Sequence, residues 1–170
     1  MFAKLQKFSA NDTEVHLDTE QIKHALSTKQ GAITCAAPRY LGEGHQLTYA
    51  EIRELAKRME YYFKCRGLHF IRADGYYGGG HIPNSYIVLD ISEPEMIALA
   101  QSFSQYSVIL FNKNEAKLLY LRGEHKNHFC SAKSWVETPS LTRNDCTAVE
   151  TKNGPFTFTY NFDHTSLYPL

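Results

Sequence analysis

The stretch DGYYGGGHIPNS, residues 74–85, combines residue types that could bind or transform a phosphate. Three successive glycines, Gly78, Gly79 and Gly80, let the backbone approach a ligand closely, and their N–H groups could hold an anion. His81 could act as a general acid or base toward a phosphodiester. The stretch lacks the lysine of a Walker loop and opens a predicted strand, so it matches neither the phosphate-loop nor the dinucleotide fingerprint.

The same stretch also admits a plain structural interpretation, a flexible hairpin loop between two strands. Metal-free RNA cleavage typically needs a second acid or base, and the spacing places none beside His81. We therefore predict no firm catalytic residue and keep His81 as the catalytic alternative. The predicted ligand-binding residues are Tyr76, Tyr77, Gly78, Gly79, Gly80, His81, Asn84, Ser85, Gln105, Thr34 and Arg39.

Histidines and cysteines elsewhere do not form a recognisable metal site. His125, His128 and Cys130, with Cys146 as a fourth ligand, have a spacing that matches no recurring zinc pattern. A G-x-S-x-G nucleophile elbow does not occur either. The sequence predicts no metal ion and no cofactor. Because it contains no recognisable catalytic constellation, it favours binding over catalysis.

The composition is that of a globular protein, with 43% hydrophobic and 21% charged residues in a chain of 170. Eighteen basic and 18 acidic residues give zero net charge, which argues against a protein that binds nucleic acid along its whole surface. The eleven tyrosines could provide stacking surfaces for a ligand, or they could line the faces of a sheet. The widely spaced cysteines, the lack of a membrane-length apolar run and the lack of a signal-like start predict a cytoplasmic protein without a membrane partner.

Three helices are predicted from their capping residues. Asp18 precedes a short amphipathic helix, and Thr48 with Glu51 forms a capping box before the clearest helical pattern. Ser92 with Glu95 forms another such box. The predicted strands are AITCAA, LHFIRADGYY, SYIVLDI, SVILFN and AKLLYL, with GPFTFTYNF as one more near the C-terminus.

The order from residue 32 to residue 121 is therefore β-α-β-β-α-β-β. Its first six elements follow the ferredoxin-like order, so we predict an α+β fold with an antiparallel sheet, an additional strand and helices on one face. Residues 1–31 are predicted to form a lead-in with a short helix, and 32–121 the core. Residues 122–170 are predicted to form a C-terminal extension that packs on or beside that core.

The motifs ITCAAPR, GYYGG, NSYIVLDI and FSQYSVILF follow one another in this order. Together they resemble a family of small bacterial and phage proteins of unknown function, over residues 32–121. The resemblance implies a small α+β fold, a phage or mobile-element setting and no assigned reaction. Asn84 stands where that family has an acid, so acid-dependent chemistry is not expected. The matching residues are Thr34, Ala36, Gly78, Gly79, Ser85 and Gln105.

Three functional hypotheses follow from these observations. The favoured one is a binding or inhibitory module that acts on a host protein or captures a nucleotide or nucleic acid. The second is a metal-independent phosphodiesterase or ribonuclease that uses His81. The third is a structural subunit whose exposed strand edge pairs with a copy of itself. The sequence leaves the ligand and the oligomeric state open.

Overall fold

A computed structural model describes residues 13–36, 40–41, 45–77, 80–138 and 145–170. The helices of this described part are α1 (Thr19–Thr28), α2 (Tyr49–Arg66) and α3 (Glu93–Ser102). The strands are β1 (Gly31–Cys35), β2 (Tyr40–Leu41), β3 (His45–Gln46), β4 (Phe70–Tyr77), β5 (Gly80–Leu89), β6 (Ser107–Phe111), β7 (Ala116–Tyr120), β8 (His128–Ala132), β9 (Trp135–Glu137), β10 (Cys146–Thr151), β11 (Gly154–Tyr160) and β12 (Tyr168–Pro169). Within these ranges no helix is both long enough and apolar enough to cross a membrane.

The helices begin where the sequence predicts. Asp18 and Thr48 each form a complete capping box, with Gln21 and Glu51 respectively, at the starts of α1 and α2. Ser92 caps α3 by accepting a hydrogen bond from the backbone N–H three residues later. Each cap satisfies an N–H group that a helix start would otherwise leave unpaired. The predicted helix starts are confirmed.

The predicted ferredoxin-like α+β fold, with helices on one face of a small sheet, is wrong. Ten strands form one antiparallel sheet in the order β12-β8-β7-β6-β1-β5-β4-β10-β11-β9, and β2 pairs with β3 separately. Ile33 of β1 marks the inner face of this sheet and its neighbour Ala32 the outer face. Helix α1 packs on the inner face through Ile22, whereas α2 and α3 pack on the outer face through Met59 and Met96.

The prediction failed mainly over residues 122–170. This segment contributes five of the ten strands, β8 to β12, where the sequence predicts one. Strands β9 and β12 have only three and two residues, so a period-two pattern has no room to show. Pro169 lies in β12 at the edge of the sheet, where a missing N–H is tolerated. Pairing with neighbours, rather than local pattern, defines these strands.

The large sheet curls into a half-barrel. Strands β8 and β11 are seven places apart in the strand order, which in a flat sheet is about 34 Å at about 4.8 Å per strand. Asp163, three residues after β11 ends, nevertheless donates its N–H to the carbonyl oxygen of Ser131 in β8, at 3.2 Å. The ring centroids of Phe111 in β6 and Tyr160 in β11 lie 6.5 Å apart. The inner faces of distant strands therefore meet.

An aromatic cluster joins α2 to the outer face of the sheet. The ring centroid of Phe63 lies 5.0 Å from that of Phe70 and 5.5 Å from that of Tyr86, and all three side chains are buried. The Tyr86 hydroxyl donates to a carboxylate oxygen of Glu60 at 2.7 Å. Edge-to-face packing of such rings adds to the stabilisation from burial.

Replacing Phe63 with alanine should lower the free energy of unfolding by about 3–5 kcal/mol, because it leaves a cavity inside this cluster. Tyr61→Ala on the same helix is the matched control: Tyr61 is 70% exposed, and its loss should change stability by about 0.5 kcal/mol or less. Urea unfolding followed by circular dichroism measures both. Equal effects of the two substitutions would contradict the packing described.

Candidate functional site

A cavity of about 480 Å³, called here the mouth cavity, opens on the inner face at one end of the half-barrel. Strands β1, β4, β7 and β11 end here and β5, β6 and β10 begin here, as the antiparallel pairing requires. All seven strands contribute residues to its lining. Small-molecule sites are roughly 300–1,000 Å³ in volume and often lie in the mouths of β-barrels.

The cavity exists because inward-facing residues become smaller toward this end of the sheet. In the paired strands β1 and β5, Ile33 faces Ile87, but two residues nearer the mouth Cys35 faces Ser85. In β4 the residue beside Ser85 is Ala73, and the next inward position toward the mouth is Gly75. A Cβ atom at Gly75 would lie 3.1 Å from the nearest side-chain atom, so the packing around it leaves little room for a larger residue.

Aromatic rings form much of the cavity wall. Tyr77, Tyr120 and Tyr160 come from three different strands, β4, β7 and β11. Tyr106 at the rim packs edge-on against Tyr120, with ring centroids 6.0 Å apart. Phe162 packs against Tyr160 with centroids 5.7 Å apart. These rings offer flat, apolar surface that suits a planar ligand.

Two buried tyrosine hydroxyls differ in their bonding. The hydroxyl of Tyr77 shares a hydrogen bond of 2.7 Å with Thr147 Oγ1, and burial raises the pKa of Tyr77 to about 12. The hydroxyl of Tyr160 has no hydrogen-bond partner among the described residues, although Tyr160 is only 7% exposed. Burial raises the pKa of Tyr160 as well, so its hydroxyl stays protonated at neutral pH. An unsatisfied buried hydroxyl costs roughly 1–3 kcal/mol.

Two other polar side chains of the wall have protein partners. Ser85 Oγ donates to the carbonyl oxygen of Ile82 at 3.0 Å. Cys35 Sγ donates to Oε1 of Gln105 at 2.7 Å. Gln105 is 2% exposed, and its Nε2 has no partner in the described part of the chain. These bonds hold the ends of β1 and β5 and the connection from α3 to β6 in place.

The described wall of the cavity contains no lysine or arginine. Asp145 and His164 lie at its margin, and both are exposed. His164 Nδ1 is 3.9 Å from the sulfur of Cys130. Nor do three His, Cys, Asp or Glu side chains gather as metal ligands would anywhere in the described ranges. A phosphate-bearing ligand would find no complementary cation in this described wall.

Residues 161–167, called here the closing segment, connect β11 to β12 and cover one flank of the cavity. Phe162 and His164 of this segment line the cavity. Asp163 Oδ1 accepts hydrogen bonds from the Thr165 hydroxyl at 2.6 Å and from its N–H at 3.1 Å. The Thr165 hydroxyl is also the main cause that lowers the pKa of Asp163. The segment is therefore a compact turn held by its own side chains.

Three non-glycine residues at this end of the sheet have left-handed backbones. Asn84 has φ 57°, Ser104 has φ 55° and Asn127 has φ 65°. Asn84 lies beside an irregularity between β4 and β5, where the register shifts between Ala73 and Gly75. Such conformations cost about 1–3 kcal/mol and cluster at functional sites. Asp90, which follows the opposite end of β5, has φ 59°, so such backbones occur at both ends of the sheet.

The structure places part of the predicted ligand-binding set at this cavity. Tyr77 and Ser85 line it, and Thr34 belongs to the part of β1 that lines it, although its side chain alternates with the inward Ile33 toward the outer face. Gln105 lies behind the wall and reaches it through the hydrogen bond from Cys35. These predicted residues therefore lie at the ends of β1, β4 and β5 that surround this cavity, and their role as ligand contacts stays a prediction.

The remaining predicted residues do not face the cavity. His81 Nε2 lies 2.9 Å from Oδ1 of Asp74, and the His81 ring stacks on Tyr76 with centroids 4.9 Å apart. Because Tyr76 precedes the inward Tyr77 in the strand, this pair lies on the outer face. Asn84 lines a separate, shallow depression that Asp74 shares. Gly80 opens β5, and Gly78, Gly79 and Arg39 lie outside the described residues.

Sequence reasoning missed the residues that the curl brings to the cavity. Tyr160 and Phe162 follow the aromatic alternation of GPFTFTYNF, which predicts a strand with one aromatic face. Thr147 lies in a strand, β10, that the sequence does not predict. Nothing in the sequence shows that this aromatic face meets β1 and β6, because the contact depends on the curvature of the whole sheet.

No family model, no curated protein and no solved structure matches the chain. Function is therefore inferred from the chemistry of the site alone. The resemblance to the phage family stays a prediction.

The raised pKa of Tyr77 predicts a specific loss of stability at high pH. Unfolding returns Tyr77 to a pKa of 10.0, whereas the folded value is about 12. Folding therefore favours the neutral form of Tyr77. The contribution of this preference to the free energy of unfolding is present below pH 10 and is lost as the pH rises toward 12. Between pH 9 and pH 11 the wild type should lose about 1 kcal/mol relative to Tyr77→Phe.

Urea unfolding of both proteins at pH 9, 10 and 11 checks this difference. Tyr49→Phe is the control, because Tyr49 is 80% exposed and its replacement should leave the pH dependence unchanged. A constant stability difference between wild type and Tyr77→Phe over this pH range would contradict the burial of Tyr77.

Proposed function

We propose that the protein is a binding module that captures a small, mostly apolar molecule in the mouth cavity. The buried hydroxyl of Tyr160, unpartnered among the described residues and set in an aromatic wall, carries this proposal. A buried polar group in an apolar site gives a ligand both orientation and specificity. Protein partners already satisfy Tyr77, Ser85 and Cys35 within this wall.

The polar groups of the cavity support binding better than catalysis. Cys130 and His164 bring a thiol and an imidazole together, but Cys130 Sγ and His164 Nδ1 are 3.9 Å apart. Burial raises the pKa of the Cys130 thiol, and a thiol rather than a thiolate is a poor nucleophile. The Ser85 hydroxyl donates to a backbone carbonyl oxygen, and the described contacts place no base beside it that could activate it as a nucleophile.

The setting we propose is the cytoplasm. All four cysteines of the chain, Cys35, Cys65, Cys130 and Cys146, are free thiols. Free thiols are typical of a reducing compartment. Among the partners that the sequence leaves open, the aromatic wall, which has no lysine or arginine among its described residues, favours a small molecule without phosphate over a nucleotide.

The outer face supports a second candidate function, a metal-independent phosphodiesterase or ribonuclease. The observation that favours it is the hydrogen bond of 2.9 Å between His81 Nε2 and Asp74 Oδ1. A carboxylate that orients a histidine is a recurring arrangement in general acid–base catalysis. Both side chains are half-exposed, so a large substrate could reach them.

The binding proposal predicts that the purified protein carries or rebinds a small molecule from a cell lysate. Ser107 faces the cavity from the start of β6, so Ser107→Phe should fill the site and abolish that binding. The matched control is Ser131→Phe in β8, on the outer face, which should retain the molecule. Mass spectrometry of the denatured proteins, after dialysis against the small-molecule fraction of the lysate, measures both.

A wild-type protein that releases nothing beyond buffer components would contradict the binding proposal. Retention of the same molecule by Ser107→Phe and wild type would contradict the location of the site. Circular dichroism of both variants confirms that each is folded before the comparison.

The second candidate predicts that the protein hydrolyses bis(p-nitrophenyl) phosphate or a short RNA. His81→Ala should reduce the rate by about a hundredfold or more, the usual contribution of a positioned acid or base. His125→Ala is the control, because His125 is also exposed but lies after β7. Absence of wild-type turnover, or an undiminished rate in His81→Ala, would reject this function.

A further inference from the structure

We infer that the ligand of the mouth cavity is a neutral, planar aromatic molecule with one hydroxyl or carbonyl group that bonds to Tyr160. The inference rests on the proposed function, because it assigns the class of molecule that the cavity would bind. Three properties of the described wall lead to it, namely its charge, its shape and the distribution of its satisfied hydrogen bonds.

The charge of the wall favours a neutral ligand. No lysine or arginine is present among the described lining residues, so a phosphate or carboxylate would be desolvated without a counter-charge. The Asp145 carboxylate at the margin adds negative potential, which further disfavours an anion. Burial keeps the hydroxyls of Tyr77 and Tyr160 neutral.

The shape of the wall favours a flat ring. The ring planes of Tyr160 and Phe162 differ by only 33°, so the two flat rings have similar orientations. Tyr77 and Tyr120 come from β4 and β7, on other parts of the curled sheet. Aromatic rings prefer offset-stacked or edge-on partners, and a planar ring between these side chains can make both contacts.

The hydrogen-bond pattern favours one polar group on the ligand. Tyr77, Ser85 and Cys35 already have partners, so they gain little from a ligand. Thr34 Oγ1 is unpartnered, but Thr34 alternates with the inward Ile33 and therefore directs its side chain to the outer face. Among the described lining residues of the inner face, Tyr160 is the one whose hydroxyl is buried and has no partner.

Three probes that differ in one group each test the inference: naphthalene, 2-naphthol and 2-naphthyl phosphate. Equilibrium dialysis at neutral pH measures the affinity of each for the wild type, for Tyr160→Phe and for Tyr49→Phe. Tyr49 is 80% exposed on α2 and does not line the cavity, so its variant is the matched control for loss of a tyrosine hydroxyl. Urea unfolding should show Tyr160→Phe to be as stable as the wild type or more stable, because the lost hydroxyl has no partner.

The wild type should bind 2-naphthol about fivefold or more tightly than naphthalene, the effect of one hydrogen bond in a buried site. Tyr160→Phe should remove that preference and leave the affinity for naphthalene unchanged. Tyr49→Phe should keep the preference. Binding of 2-naphthyl phosphate should be undetectable at concentrations that saturate the site with 2-naphthol.

Two results would overturn the inference while leaving the proposed function intact. One is equal or tighter binding of 2-naphthyl phosphate, and the other is a preference for 2-naphthol that survives in Tyr160→Phe. Failure of all three probes, when the lysate experiment does recover a ligand, would also reject this class of molecule. Failure of the probes together with an empty lysate experiment would reject the proposed function itself.

Discussion

The return of the chain from β11 to β8 determines the shape of the inner face. Asp163, three residues after Tyr160, donates its N–H to the carbonyl oxygen of Ser131. Ser131 belongs to β8, which is seven places from β11 in the strand order. About three residues of extended chain span only about 11 Å. The sheet must therefore curl, and the curl brings the aromatic side chains of β11 opposite those of β6 and β7. Without this closure, Tyr160 and Phe162 would face solvent and the mouth cavity would have no far wall.

The inner face then has two parts with different composition. Close to α1 it is filled by large apolar side chains such as Ile33, Ile71 and Ile87, which form an ordinary core. Toward the mouth β1 and β5 carry Cys35 and Ser85, whose smaller side chains leave space instead of filling it. This change lowers the burial of apolar surface and leaves a polar hydroxyl unsatisfied, both of which reduce stability. A bound ligand would supply the missing apolar contacts and the missing hydrogen bond. Ligand binding is therefore a physical reason for such a sequence.

Local features were predictable from the sequence and distant ones were not. The caps at Asp18 and Thr48, and the strands on both sides of the glycine run, depend on residues within a few positions of one another. The fold class depended on the segment after residue 121, whose short strands are defined by their partners. The glycine run suggested one site, yet a strand directs neighbouring side chains to opposite faces. Tyr76 and Tyr77 are therefore separated by the sheet.

The most direct test of this account is a nuclear Overhauser experiment on the protein in complex with 2-naphthol. Cross-peaks between the naphthol protons and the ring protons of Tyr77 and Tyr160 are predicted, because both rings line the mouth cavity. Cross-peaks confined to Tyr76 and His81, which stack on the outer face, would contradict the central claim that the curled inner face forms the site.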